Sequence, residues 1–195
     1  MVLSSHIGNS IEINMRQIEI SYDDLEHELI NEFKKLGSPG IYQRGILATS
    51  ANDYVTARRM RLIPDGLKIY CWTTRHTRKH KQILKNPQVA LLAGFIQIDG
   101  VASVRGHPMD NSEFLEAYKE RIPDAYERSV DGWRRVDHVL IEVVPTRIAC
   151  FKAIGRGTSL ESYLDVLKVA QRKAYRVYEF ASMLEDHSDA PAYSE

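Results

Sequence analysis

The sequence predicts an α+β fold, a small antiparallel β-barrel of six or seven short strands with flanking helices and a long C-terminal helix. Three observations predict it. Apolar residues over 46–63, 67–72, 89–106 and 139–151 come in short runs of the kind that form strands. Turn signals separate the runs, at Ala51-Asn52-Asp53, Pro64-Asp65-Gly66 and Asp99-Gly100. Helical spacing is confined to a few segments, of which the longest is residues 159–184.

The first twenty residues are weakly patterned. Ser21 then offers a cap, Asp23 and Asp24 supply early acids, and Leu25, Leu29 and Phe33 recur at helical spacing, so a helix is expected until Lys34-Lys35 and Gly37. From Gln43 onward the pattern becomes that of strands, with residues 46–49 and 55–63 joined by a hairpin turn. Residues 67–72 form the next strand, Thr77 can cap a short helix over 78–85, and Asn86-Pro87 ends it. Two strands, 89–96 and 101–106, are expected around Asp99-Gly100. Residues 111–122 return to helical spacing, and strands 139–144 and 147–151 follow, separated by Pro145. In residues 159–184, Leu160, Tyr163, Leu164, Leu167, Ala170, Ala174, Val177, Tyr178 and Ala181 mark one face of an amphipathic helix, and residues 186–195 read as a frayed tail.

At 195 residues, 44% hydrophobic and 27% charged, the chain has the composition of a globular protein with one substantial core. The longest apolar run, residues 89–96, is too short to span a bilayer, and the N-terminus lacks the pattern of a secretory signal, so no membrane partner and a cytoplasmic location are expected. Cys71 and Cys150 fall in separate expected strands without a paired-cysteine motif, so buried free thiols are expected and no metal site.

Charge is the most informative property. Between Asp53 and Asp99 lie nine Lys/Arg residues and one acid, Asp65, a net of +8 in a chain whose total is zero. The densest stretch, Thr73-Thr74-Arg75-His76-Thr77-Arg78-Lys79, sits where a strand feeds a helix. A helix start carries positive partial charge, so Arg78 and Lys79 there are destabilising unless an anion, such as a phosphate, binds between them. Alternation along 55–63 puts Arg58 on one face with Thr56, Met60 and Leu62, and a guanidinium among apolar side chains requires a carboxylate or a phosphate. Two readings stay open for Arg58: a shared phosphate with Arg78 and Lys79, or a carboxylate from the N-terminal helix. A solvated basic face, or a nucleic-acid surface, would also use such a run. The neutral total and the inward face of Arg58 weigh against nucleic acid.

Arg58-Arg59-Met60-Arg61-Leu62-Ile63, a strand ending Trp72-Thr73, then Thr77-Arg78-Lys79 and Ile83-Leu84-Lys85-Asn86-Pro87 resemble, in order and spacing, the flavin-binding split-barrel family related to pyridoxamine 5′-phosphate oxidase. Gly100-Val101-Ala102 and residues 141–147 extend the resemblance across roughly 40–152. It implies a split-barrel domain over 39–155, between an N-terminal extension and helix (1–38) and the C-terminal helix and tail (156–195). It also implies a homodimer that binds flavin mononucleotide (FMN) and acts as an oxidoreductase on a small-molecule substrate. By the same resemblance Arg58, Arg59, Met60 and Arg61 line the cofactor, Trp72 and Thr73 contact it, and Thr77, Arg78 and Lys79 take its phosphate.

The oxidase itself usually has a lysine where this chain has Ile63, and a C-terminal Arg-Leu-x-Pro where this chain has residues 159–184, so pyridoxamine 5′-phosphate is not the expected substrate. His76, His107 and His138 stand apart from any nucleophile or carboxylate pattern, and no catalytic residue is assigned. A flavin supplies its own redox chemistry. A flavin- or haem-binding carrier or sensor is the alternative on the same fold.

Overall fold

The computed structural model describes residues 11–35, 44–156 and 159–183, with side chains described at 17–35, 44–152 and 165–177. Gly37, Gln43, Leu184 and the tail 186–195 therefore lie outside the described residues. The first half runs β1 (Ile11–Ile20), α1 (Tyr22–Lys35), β2 (Arg44–Ala51), β3 (Tyr54–Arg61), β4 (Ile63–Asp65), β5 (Lys68–Thr74) and α2 (Arg78–Lys85). The second half runs β6 (Gln88–Ala93), β7 (Ile96–Val104), α3 (Ser112–Arg121), α4 (Tyr126–Arg135), β8 (His138–Arg156), β9 (Ser159–Lys168) and β10 (Lys173–Met183).

The strands form one antiparallel sheet in the order β1-β10-β9-β8-β7-β6-β2-β3, with β4 and β5 branching from β8. β7 occupies one edge of β8, while β5 and then β9 share the other, pairing with residues 138–143 and 147–156 respectively. That fork is what splits the sheet. The path ends at β3 without closing.

Local chemistry fixes the turns. Asn52 and Asp53 both take left-handed conformations (φ 51° and 60°), which turn β2 into β3 in the sense that matches strand twist. The β6–β7 turn uses Gly94 at φ 61°. The turn expected at Asp99-Gly100 is instead an irregularity inside β7, where the register against β8 shifts opposite Pro145. Proline has no N–H for the ladder, and the extra residue, Thr146, donates its hydroxyl to the Asp99 carbonyl (3.0 Å). β8 consequently runs as a single strand of 19 residues rather than two.

The C-terminal expectation fails more completely. Residues 159–183 form the hairpin β9–β10, not a long helix, and β10 pairs along its length with β1. Local apolar spacing suits a helix, but Tyr163, Val166, Tyr175, Val177, Tyr178 and Phe180 are β-branched or aromatic residues that favour a pleated surface. Their partner, β1, lies some 150 residues away in the sequence. The hairpin is pinned by Asp165, fully buried, whose carboxylate accepts from Arg176 Nε (2.7 Å) and Nη2 (2.9 Å) across the β9–β10 ladder.

Two cores result. Leu25, Leu29 and Phe33 of α1 pack with Leu47, Leu62, Cys71, Leu91, Ile98, Ile141 and Ile148 of the sheet. Ser21 starts α1 as expected, its hydroxyl accepting from the Asp24 N–H. On the other face of β5, Tyr70 and Trp72 meet Phe114 and Tyr118 of α3 and Trp133 of α4, a helix the sequence reading left unassigned. Tyr70 Oη and Lys68 Nζ both donate to Glu113 Oε2 (3.1 and 3.0 Å), stapling α3 to β5.

Gly100 sits where the register shifts, and a Cβ there would come within 2.8 Å of both Val143 Cγ1 and the Val144 carbonyl oxygen. Backbone cannot yield as a flexible side chain can. Gly100→Ala is expected to lower stability by about 1–3 kcal/mol, the usual cost of overpacking, as read from denaturant midpoints.

Candidate functional site

The site lies where the β2–β3 hairpin, the end of β5 and the start of α2 meet. Alternation in β3 sends Thr56, Arg58 and Met60 to the inner face, so the expected side for Arg58 is the observed one. Its Nη1 donates to Thr49 Oγ1 (2.7 Å) and to the Leu47 carbonyl (3.0 Å), and its Nη2 donates to Thr56 Oγ1. All three acceptors are neutral. The carboxylate from the N-terminal helix that would have given Arg58 an ordinary structural role is not there.

Lys79 is held in the same way. Its ammonium donates to Thr73 Oγ1 (2.9 Å), which lies 3.0 Å from Thr77 Oγ1, and Thr77 in turn donates to the Thr74 carbonyl (2.9 Å). Because the Thr77 proton goes to that carbonyl, Thr73 donates to Thr77, and the chain of bonds has one direction. Thr77 occupies the N-cap position of α2 with extended backbone, yet its side chain makes no cap bond, and the first turn contains no acid. Arg78 is exposed, its guanidinium 5.7 Å from the Tyr54 ring centroid. Arg75, beside the cluster, is neutralised by Asp137 at 3.0 Å.

Among the described residues no carboxylate lies within 4.0 Å of Arg58, Arg78 or Lys79. Burial, and then the charge of Arg58, hold the Lys79 ammonium below its ordinary value. Burial, and then Arg78, do the same to Arg58. Cys71, fully buried beneath them, is pushed up to about 12 by burial, against the pull of Lys79 and Arg58. A half-buried group of cations, oriented but not neutralised, fits a phosphate: its charge would supply the missing counter-ion and its oxygens would take the remaining N–H donors. Concavities of about 460 and 420 Å³ lie elsewhere, by the β2–β3 turn and beside Phe95 and Phe151, and neither is lined by the cluster.

A family model for pyridoxamine 5′-phosphate oxidase matches residues 42–150. The chain belongs to this family. Among solved structures, a pyridoxamine 5′-phosphate oxidase-related, FMN-binding protein from Nostoc punctiforme aligns with 80% of this chain and 95% of its own, at 12% identity and TM-score 0.53. General Stress Protein 26 from Bacillus anthracis aligns with 64% of this chain and 91% of its own (23% identity, TM-score 0.46), and the haem storage protein HutZ from Vibrio cholerae with 60% and 88% (18% identity, TM-score 0.47). No curated protein matches the chain. The Nostoc punctiforme likeness is one of fold, the split barrel that the family resemblance implies.

Within this member of the oxidase family, the residues singled out from the sequence divide into two groups. Arg58, Thr73, Thr77, Arg78 and Lys79 come together as described. Met60 is buried in the core, and Arg59 is exposed on the outer face of the sheet, opposite Ile46. Arg61 donates to Tyr118 Oη (3.1 Å), and Trp72 packs into the aromatic core; both lie apart from the cation cluster. Sequence reading placed Thr56 on the face of Arg58 without giving it a role, and missed Thr49 and Gln82; only their place in an otherwise basic and apolar region could have drawn attention to these polar supports of Arg58. Among the described residues no group of His, Cys, Asp or Glu is arranged to hold a metal, and no helix is long and apolar enough to cross a membrane.

Lys79 provides a test of this electrostatic description. A base whose folded pKa lies below its unfolded value binds its proton less readily when folded, so it opposes folding at low pH, and this penalty disappears as pH rises through the folded pKa. Lys79→Met is expected to match or exceed wild-type stability at pH 7 without ligand. The difference between the two proteins should change in favour of the wild type as pH rises towards the ordinary lysine range, read from paired denaturation curves.

Proposed function

We propose that this chain binds FMN, with the phosphate on Arg58, Arg78 and Lys79, and acts as a flavin-dependent oxidoreductase on a small substrate. One observation carries the reading. Cations from the start of α2 and from the middle of β3 are collected together, and the side chains that orient them are neutral. The match to the oxidase family supports a flavin as the phosphate-bearing ligand. The bound isoalloxazine would supply the hydride chemistry. The protein's own contribution is to bind and orient. Lys79 and Arg58 supply charge from fixed positions, and Thr73 and Thr77 restrain the lysine.

The reading includes a homodimer. Ile46, Leu92, Val101 and Val144 lie on the outer face of neighbouring strands, each at least 36% exposed, among the small residues Ala48, Ala57 and Ala90. A second copy covering this face would bury it and exclude water from the adjoining site. Sedimentation at micromolar concentration tests this part, and a monomer with full FMN affinity would exclude it.

Titration with FMN and with riboflavin tests the phosphate site. FMN should bind with a shifted visible spectrum and riboflavin far more weakly; equal affinities would overturn the assignment. Arg78→Ala should weaken FMN binding by about 1.5–3 kcal/mol, the scale of a charge-assisted hydrogen bond, and leave the ligand-free protein no less stable.

Pyridoxamine 5′-phosphate is not the expected substrate. Ile63, where the oxidase usually has a lysine, is fully buried beside the aromatic core, and residues 159–183 form the β9–β10 hairpin. In steady-state assays of FMN-loaded protein, reduced nicotinamide or another small donor should reduce the flavin while pyridoxamine 5′-phosphate is not oxidised. Failure of every donor would favour a carrier or sensor.

A further inference from the structure

We infer that Gln82, which is outside the proposed phosphate-binding set, is the positioning residue for Arg58. It sets the direction of the hydrogen bonds behind the guanidinium, so that the cation is held without being neutralised. The inference rests on the phosphate reading of the site.

Gln82 lies on α2, one turn after Arg78, and is only 5% exposed. The orientation of its amide follows from its neighbours. The Tyr54 carbonyl oxygen can only accept, and Gln82 Nε2 donates to it at 2.9 Å. Oε1 therefore faces the other way, 2.7 Å from both Thr49 Oγ1 and Thr56 Oγ1. An amide oxygen also can only accept, so each threonine gives Gln82 its single hydroxyl proton. Both hydroxyls are left with lone pairs, and these are what Arg58 uses through Nη1 and Nη2. Every bond in the relay, from Arg58 to the threonines to Gln82 to Tyr54, thereby has a fixed direction, and every acceptor is uncharged.

The same amide joins α2, which carries Arg78 and Lys79, to the β2–β3 hairpin, which carries Arg58. Spacing between the cations thus depends on it. A carboxylate of the same shape at this position would behave differently. It would bring a negative charge behind the guanidinium, an internal counter-ion in competition with an external phosphate, and it could not donate to the Tyr54 carbonyl. When protonated, it could do so and would reproduce the amide.

The experiment measures FMN affinity of the wild type, Gln82→Glu and Thr56→Val from about pH 8 to about pH 4, which spans the phosphate titration and reaches the ordinary glutamate range. Circular dichroism and melting of each ligand-free protein accompany it. The ratio of wild-type to variant affinity removes the titration of FMN itself. For Gln82→Glu the loss should be about tenfold or more at pH 8, as expected for a charge so close to the site, and should shrink only at the acid end, where the introduced carboxyl takes up a proton. Thr56→Val, which keeps the β-branched shape, should lose severalfold with a ratio that does not vary with pH.

A folded Gln82→Glu protein that binds FMN like the wild type at pH 8 overturns the inference. If Gln82→Glu does not fold, unchanged affinity in Thr56→Val overturns it by itself. A wild type that binds neither FMN nor inorganic phosphate overturns the phosphate reading and this inference together. Binding by the wild type with unaltered variants overturns this inference alone.

Discussion

The arrangement on which the rest depends is a pair of half-buried cations, Arg58 and Lys79, restrained by oxygens that carry no charge. A hydrogen bond from a hydroxyl or carbonyl orients a guanidinium or ammonium without cancelling its field. Removing these groups from water has a cost, and mutual repulsion adds to it. The direction of the Lys79 and Arg58 pKa shifts expresses both effects. Neighbouring parts of the fold support this unfavourable local state. Left-handed Asn52 and Asp53 set the β2–β3 register, which places Thr49 opposite Thr56. Packing of Ile83 into the main core holds α2 against the same sheet.

Strand β5 separates two kinds of environment by its pleat. Cys71 and Thr73 face the main core and the cation cluster, while Tyr70 and Trp72 face the aromatic core under α3 and α4. A change of one residue in its pairing with β8 would exchange these sets. The register is held by the ladder from Ile69 opposite Val143 to Thr74 opposite His138, and by the Lys68–Tyr70–Glu113 network at the other end of the strand. Burial, with the Glu113 carboxylate, pushes the Tyr70 phenol up to about 12 against the pull of Lys68, so that end of the network keeps its proton through the neutral range.

Much of the site was legible because its signal is local. Thr77-Arg78-Lys79 before a short helix ended by Asn86-Pro87, and Arg58 on the same strand face as Met60, can be read from spacing and charge alone. The relay behind Arg58 was not legible in the same way. In α2 the pattern of side-chain polarity misleads, since Leu84 is 64% exposed while Gln82 and His80 are buried. What holds Gln82 inward is the β2–β3 hairpin, some thirty residues earlier in the chain, while His80 Nδ1 lies 2.8 Å from the Arg75 carbonyl. The fold divides along the same line. Helices α1, α2 and α3 and the hairpin β2–β3 depend on near neighbours and were expected. The β9–β10 hairpin depends on β1 for its edge, and no spacing within residues 159–183 distinguishes that outcome from a helix. In α4, Tyr126, Val130 and Trp133 do recur at helical spacing, but three apolar residues among charges make a weak stripe.

Several of the chain's other partly buried cations have a carboxylate partner. Lys68 meets Asp65 and Glu113, Arg147 meets Asp99, Lys152 meets Glu28 and Asp165, and Arg176 meets Asp165. Even Arg75, within the basic stretch itself, has Asp137. The chain contains as many acids as bases, so carboxylates were not scarce. Arg61 and Arg121, also partly buried, are likewise held by neutral oxygens, but Arg121 has the charges of Glu120 and Asp65 nearby, whereas Arg58 has Arg78 nearby and Lys79 has Arg58, charges that lower them further. Solvation alone does not explain the placement of Arg58 and Lys79, because solvated cations need no buried threonines behind them. The proposed bound anion would explain it, since its charge would offset the repulsion while the threonines keep the donors in place.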